Sequence, residues 1–200
     1  MTMRKKLLIT IACLSCILCI MVTGTIAWLI DSTPTITNTF TPSNITVAIS
    51  ETNSVLGTDG NYSKEFQMIP GKTYTKDPVV TVTNDIDCYV FVKVAETKNI
   101  WNEKKVVTYT MGAGWISLGD GVYYRVVEAN AQVKEFSVIA GNEVTINGAL
   151  TKEYMTSLGT DTAKYPSLQF TAYAVQMADG GAENDGNFTP AEAWAAITNP

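Results

Sequence analysis

The sequence predicts an all-β fold, an antiparallel β-sandwich behind an N-terminal signal helix, with one short helix near its C-terminal end. Three observations carry that reading. Beyond residue 40, short runs rich in β-branched and aromatic residues alternate with clusters of Gly, Asn, Asp and Pro, the pattern of strands and turns. The first 27 residues run from basic to apolar to small. A Thr-Pro-Ala-Glu sequence at 189–192 opens a short alanine-rich stretch.

The elements follow in chain order. Arg4, Lys5 and Lys6 precede an uncharged run from Leu7 to Val22, and Gly24-Thr25-Ile26-Ala27 follows. These are the n-region, h-region and small-residue cleavage site of a secretory signal. Cleavage between Ala27 and Trp28 is expected. The rival is an uncleaved anchor, because Leu7 to Leu29 approaches the roughly 20 apolar residues a spanning helix needs. Cys13, Cys16 and Cys19 lie inside the apolar run and read as filler. The organisation expected is therefore a signal peptide at 1–27, an extended segment at 28–40, a sandwich at 41–177 and a Gly/Asp-rich linker with a short helix at 178–200.

Removing residues 1–27 leaves Cys88 as the single cysteine, so no internal disulfide can form. Cys88 reads as a small buried hydrophobe within a strand. The whole chain has 14 basic and 19 acidic residues and a net charge of −5. Loss of the three N-terminal cations makes the exported part more acidic still. That balance argues against nucleic acid and anionic membrane as partners, since both reward clusters of Lys and Arg.

Strands are expected at Ile45–Ser50, Val79–Thr83, Tyr89–Ala95, Val106–Met111, Trp115–Leu118, Val122–Val127, Glu135–Ile139, Glu143–Ala149 and Leu168–Gln176. Tyr89–Ala95 (YVFVKVA) is apolar on both faces, as a strand covered on two sides would be. Gly119-Asp120-Gly121 and Ala140-Gly141-Asn142 read as hairpin links. Stretches 57–63 and 99–105 read as polar loops. Thr189 is placed to cap a helix, with Pro190 at its first position and Glu192 closing a capping box. Trp194 and Ile197 should dock that helix on the sandwich, because a helix so short is marginal alone. A second short helix is expected at Thr151–Leu158.

The chain contains no histidine, which removes Ser-His-Asp catalysis and imidazole-based zinc sites. No catalytic residues, metal or cofactor are assigned, and the chain is read as non-enzymatic. Paired carboxylates, as in a glycosidase, are the one chemistry that composition leaves open. Three features compete for a function. Asp179, Glu183, Asn184, Asp185 and Asn187 supply oxygens of the kind calcium takes, without the alternating spacing of a calcium loop. Trp101, Trp115, Tyr123 and Tyr124 could stack sugars on a shared exposed face, although aromatics at strand positions are commonly core. The segment Trp28–Phe40 (WLIDSTPTITNTF), with Ile36 and Phe40 as apolar anchors, can add to an open sheet edge of its own domain or a neighbour's.

Several of these stretches resemble the TasA/camelysin family of biofilm matrix proteins. The resemblance lies in Thr25-Ile26-Ala27-Trp28-Leu29-Ile30-Asp31, in Asn38-Thr39-Phe40 before the strand at Ile45, and in the turn Met68-Ile69-Pro70-Gly71-Lys72. The strand Pro78 to Asn84 and the late strand Leu168 to Gln176 add to it. Leu29-Ile30 departs from the family's aromatic pair, and Lys72 from its acidic residue. The resemblance implies a jelly-roll sandwich, export and trimming by a dedicated ER-type signal peptidase, and a place in the extracellular matrix or on the cell surface. It further implies fibres in which Trp28, Ile36 and Phe40 belong to a strand donated to the next subunit, giving a homopolymer with other matrix proteins as further partners. The metalloprotease activity ascribed to camelysin is not carried over to a chain without histidine. The alternative expectation is a surface carbohydrate- or protein-binding module built on Trp101, Trp115, Tyr123 and Tyr124.

Overall fold

Runs of β-branched residues between turns make most of the described secondary structure strand. A computed structural model of the chain describes Met3 and residues 44–58, 60–178 and 186–198. The chain divides into two units, Met1–Thr41 and Pro42–Pro200, and the sheets belong to the second. The expected signal peptide, apart from Met3, the 28–40 segment and residues 179–185 lie outside the described residues.

The strands are β1 (Ile45–Ser50), β2 (Val55–Leu56), β3 (Tyr62–Ser63), β4 (Thr73–Thr75), β5 (Val79–Asn84), β6 (Cys88–Thr97) and β7 (Ile100–Trp101). They continue with β8 (Lys104–Lys105), β9 (Val107–Thr108), β10 (Ile116–Gly119), β11 (Val122–Val127), β12 (Glu135–Ser137), β13 (Glu143–Ile146) and β14 (Ser167–Gln176). Two α-helices follow among the described residues of the second unit, α1 (Lys152–Leu158) and α2 (Pro190–Thr198). It is all-β in class, with antiparallel pairing throughout the described ladders.

Two sheets dominate. One has the order β1-β5-β12 and the other β10-β11-β6-β14. Val80 and Val82, backed by Ile45, Val47 and Ile49, meet Cys88, Val90, Val92, Val94 and Val127 in one core cluster. The residues between them, Tyr89 and Phe91, point to the opposite face of β6 and pack with Val122, Ala193 and Trp194. This parity follows from the two-residue side-chain period of a strand. It accounts for the doubly apolar YVFVKVA run, since β6 is covered by a sheet on one face and by α2 on the other. Trp194 carries the second cover, with its ring 5.3 Å from that of Phe91 and 5.4 Å from that of Tyr173. The helix begins as the sequence predicts: Thr189 N donates to Glu192 Oε2 at 2.8 Å, and Glu192 N donates to Thr189 Oγ1 at 3.3 Å.

A smaller sheet, β4-β13-β9, encloses a second cluster of Val106, Val107, Ile139, Val144, Ile146 and Leu150. Its existence corrects part of the sequence reading. Ala140-Gly141-Asn142 is a 3-10 turn that carries the chain from β12 in one sheet to β13 in another, not a hairpin between paired strands. The expected strand at Val106–Met111 shortens to β9 and an isolated bridge between Met111 and Ile139. The expected loop at 99–105 is a tight hairpin of β7 and β8, with Asn102 and Glu103 both in the left-handed region at φ 47° and 61°. Tyr62–Ser63, within the other expected loop, pairs with Val55–Leu56. The link Gly119-Asp120-Gly121 does join a hairpin, β10 to β11. Gly121 is required there: a Cβ would fall 2.4 Å from the Val94 carbonyl oxygen.

Phe91 is fully buried where β6 meets α2. Phe91→Ala should lower unfolding free energy by about 3–5 kcal/mol, read from urea denaturation, with Trp194 fluorescence shifting red in the native state as α2 loses its seat.

Candidate functional site

The structure separates the sequence-predicted site residues. Ala27, Trp28, Ile36 and Phe40 lie outside the described residues, as do Asp179, Glu183, Asn184 and Asp185. Asn187 forms an isolated bridge with Ala178. The four aromatics considered as a sugar platform fall in three places. Trp115 and Tyr123 belong to the core between the main sheets, Tyr124 to the cluster beneath α2, and Trp101 lies 5.2 Å from Tyr154 beside α1. Among the described residues no group of three or more His, Cys, Asp or Glu is placed to hold a metal. No helix among them is long and apolar enough to cross a membrane.

Cys88 is buried and unpaired as a disulfide, and burial pushes its thiol up to about 11. A thiol held so far above neutrality carries little thiolate, the reactive form. Cys88 should resist alkylation by iodoacetamide at pH 8 in the folded protein and react within minutes in 8 M urea; rapid native labelling would contradict the burial.

What the fold does present is a set of strand edges. Each main sheet ends in two strands, and among the described residues β1, β12, β10 and β14 each pair on one side only. The two sides of the molecule differ. On one, β12 has three residues and β10 carries a register irregularity between Ser117 and Gly119. Arg125 points inward there, its guanidinium carbon 3.7 Å from the Phe136 ring centroid and 5.1 Å from that of Trp115. Short edges, irregular pairing and an inward charge are how natural sheets block strand addition. On the other side lie β1 (ITVAIS) and β14 (SLQFTAYAVQ), with no charged residue and no proline in either.

Beside the start of β14 opens a groove of about 570 Å³. Met68, Val144, Ile146, Met155, Leu158 and Leu168 supply much of its apolar wall. Lys64 and Lys76 also line it and are held by acids: Lys76 Nζ lies 2.7 Å from Glu51 Oε2, and Lys64 Nζ lies 3.6 Å from Glu51 Oε1 and 3.9 Å from Asp77 Oδ1. A hydrogen bond from Thr52 is the main force holding the Asp77 carboxyl below its ordinary value. Tyr74 lines the groove as well, and its hydroxyl is buried without a hydrogen-bond partner among the described residues. None of these groups forms the nucleophile and base pair of a hydrolase.

No family model, curated protein or solved structure matches this chain.

A polar hub steadies the far end of β6, which pairs with β14. Glu96 accepts from Asn99 Nδ2 and Tyr109 Oη, each at 2.9 Å, and from Lys105 Nζ. Burial pushes the Glu96 carboxyl up, but the bonds from Lys105, Asn99 and Tyr109 outweigh it and hold the group below its ordinary value. A carboxylate depressed in the folded state stabilises at pH values above its unfolded pKa, and that contribution fades as pH falls through the folded one. Glu96→Gln should cost about 1–3 kcal/mol at pH 7, and the urea midpoints of variant and parent should converge as the pH is lowered below about 4.

Proposed function

We propose that this chain is a secreted structural protein of the extracellular matrix or cell surface, polymerising by donation of the segment Trp28–Phe40 to a sheet edge of the next subunit. The observation that carries this reading is the asymmetry of the edges. Among the described residues β1 and β14 carry no charge and each pairs on one side only, while the opposite side is blunted by short strands and the Arg125 stack. An unguarded strand edge is a template for another chain, and main-chain pairing with alternate side chains in pockets is a recurrent mode of peptide capture.

The donated segment suits that role by composition. It carries one charge, Asp31, and four threonines before Phe40, a β-prone, nearly neutral strand. Ile36 and Phe40 would each contribute about 1.5–3 kcal/mol if fully covered. The stretches that resemble the TasA/camelysin family support the same reading, and with it we propose a jelly-roll arrangement of the two sheets and cleavage after Ala27. The partners are then further copies of the chain and other matrix proteins, with the signal peptidase acting during export. The reading assigns no catalytic residue, cofactor or nucleic-acid partner. The carbohydrate-module alternative loses its platform because its four aromatics occupy three separate clusters.

The test compares two secreted chains, one beginning at Trp28 and one at Thr41. The first should form filaments visible by electron microscopy and the second should stay monomeric in size-exclusion chromatography; equal behaviour of the two removes the proposal.

A further inference from the structure

We infer that Arg125 is an anion-recognition residue, its guanidinium fork held in place for a carboxylate from outside the folded body. The inference is independent of strand donation.

The strand sets its direction. Along β11, Tyr123 and Val127 belong to the core between the main sheets, and Arg125 lies between them on the same face. Its side chain therefore enters the sandwich beside Trp115 and Phe136. The guanidinium carbon is 3.7 Å from the Phe136 ring centroid, an approach that fits only a guanidinium lying over the ring face. Trp115 flanks it at 5.1 Å and is itself fixed, since its Nε1 donates to the Ser137 carbonyl at 2.9 Å. Gly114 crowds one edge: a Cβ there would lie 2.6 Å from Nη2, and its φ of 81° also favours glycine. A fork confined in this way is preorganised, so a ligand spends little entropy in ordering it.

The donors of that fork are unused. A guanidinium has five N–H donors and no acceptor, yet among the described residues Arg125 makes no hydrogen bond or ion pair, only the two ring contacts. Other cations held against the body are served. Lys64 and Lys76 meet Glu51, Lys105 meets Glu96, and Lys93 and Lys134 donate to backbone carbonyls. Burial pulls Arg125 below its ordinary value, and no charged neighbour of either sign acts on it. Taking a charge out of water without a partner is costly. None of its nitrogens is sealed from solvent among the described residues, so a ligand can reach them.

One cation with coplanar donors suits a carboxylate, which is planar, singly charged and able to accept two parallel bonds. A phosphate dianion would keep one charge uncompensated here. The carboxylate comes from a free small acid or from an acidic side chain of a peptide, and the test separates these sources.

A chain beginning at Trp28 lacks Arg4 and keeps Arg125 as its single arginine, so its Nε–Hε signal in a nitrogen–proton NMR spectrum needs no assignment. That signal should exchange rapidly with water at first and shift saturably with sodium acetate, but not with sodium chloride at equal ionic strength. Capped hexaglutamate should bind about tenfold more tightly than acetate if the source is a peptide, and equally per carboxylate if it is a small acid. Arg125→Lys keeps the charge but loses the fork. Its acetate affinity, followed by the Trp115 indole N–H, should fall about tenfold, with the thermal midpoint within a few degrees of the parent. Absence of any shift with acetate or hexaglutamate overturns the assignment, as does equal affinity in the Arg125→Lys variant. Tighter binding of inorganic phosphate than of acetate overturns the choice of carboxylate. A protected Nε–Hε signal before any addition shows the fork filled by the chain's own acid, and overturns the external ligand.

Discussion

The central strand β6 must be dry on both faces, and most of the molecule is arranged to meet that demand. Cys88, Val90, Val92 and Val94 on one face and Tyr89 and Phe91 on the other are all buried. A strand buried on both faces needs two covers. The β1-β5-β12 sheet provides the first, and α2 the second. The second cover is the more fragile, because nine helical residues hold no stability of their own in water. Trp194 against Phe91 and Tyr173 compensates, and the Thr189–Glu192 capping box fixes where the helix starts. With Cys88 as the sole cysteine of the described body, this apolar packing carries the stability that disulfides supply in many exported domains.

That same constraint sets the edges. Burying β6 inside a four-stranded sheet pushes β14 to its margin, where among the described residues its long, uncharged run is hydrogen-bonded to a strand on one side only. A soluble monomer would ordinarily place a lysine, a proline or a bulge there. The chain does use such devices, but on the opposite side, where Arg125 stacks between Phe136 and Trp115. Gly114 makes room for it, since a Cβ at that position would lie 2.6 Å from an Arg125 terminal nitrogen. The contrast between a guarded and an unguarded side gives the molecule a polarity that a purely defensive surface would lack.

Legibility in the sequence followed the range of the interactions involved. β1 and β11 agree with the expected bounds, because alternating β-branched residues between turn residues are a local signal. The capping box and the buried state of Cys88 were legible for the same reason. β4 was not, since Thr73-Tyr74-Thr75 between two lysines offers a single apolar side chain and is held by register with β13. The β7–β8 turn was hidden because Asn102-Glu103 adopts a left-handed pair without the glycine that usually announces one. At Ala140-Gly141-Asn142 the turn itself was visible, yet which sheet receives the next strand depends on partners far away in sequence. The groove was invisible for a related reason. Its wall combines the 64–68 stretch with one or two residues each from β4, β9, β13, α1 and the start of β14, and no periodic pattern joins them.

The small third sheet gains a purpose from this arrangement. Sheet β4-β13-β9 and α1 are not needed to cover β6, whose two faces are already closed. They instead extend the body past the ends of β1 and β5 and wall the trough beside Leu168. A partly open trough leaves side chains such as Met155 incompletely covered, so this end of the body gains less from apolar burial than the closed core around β6.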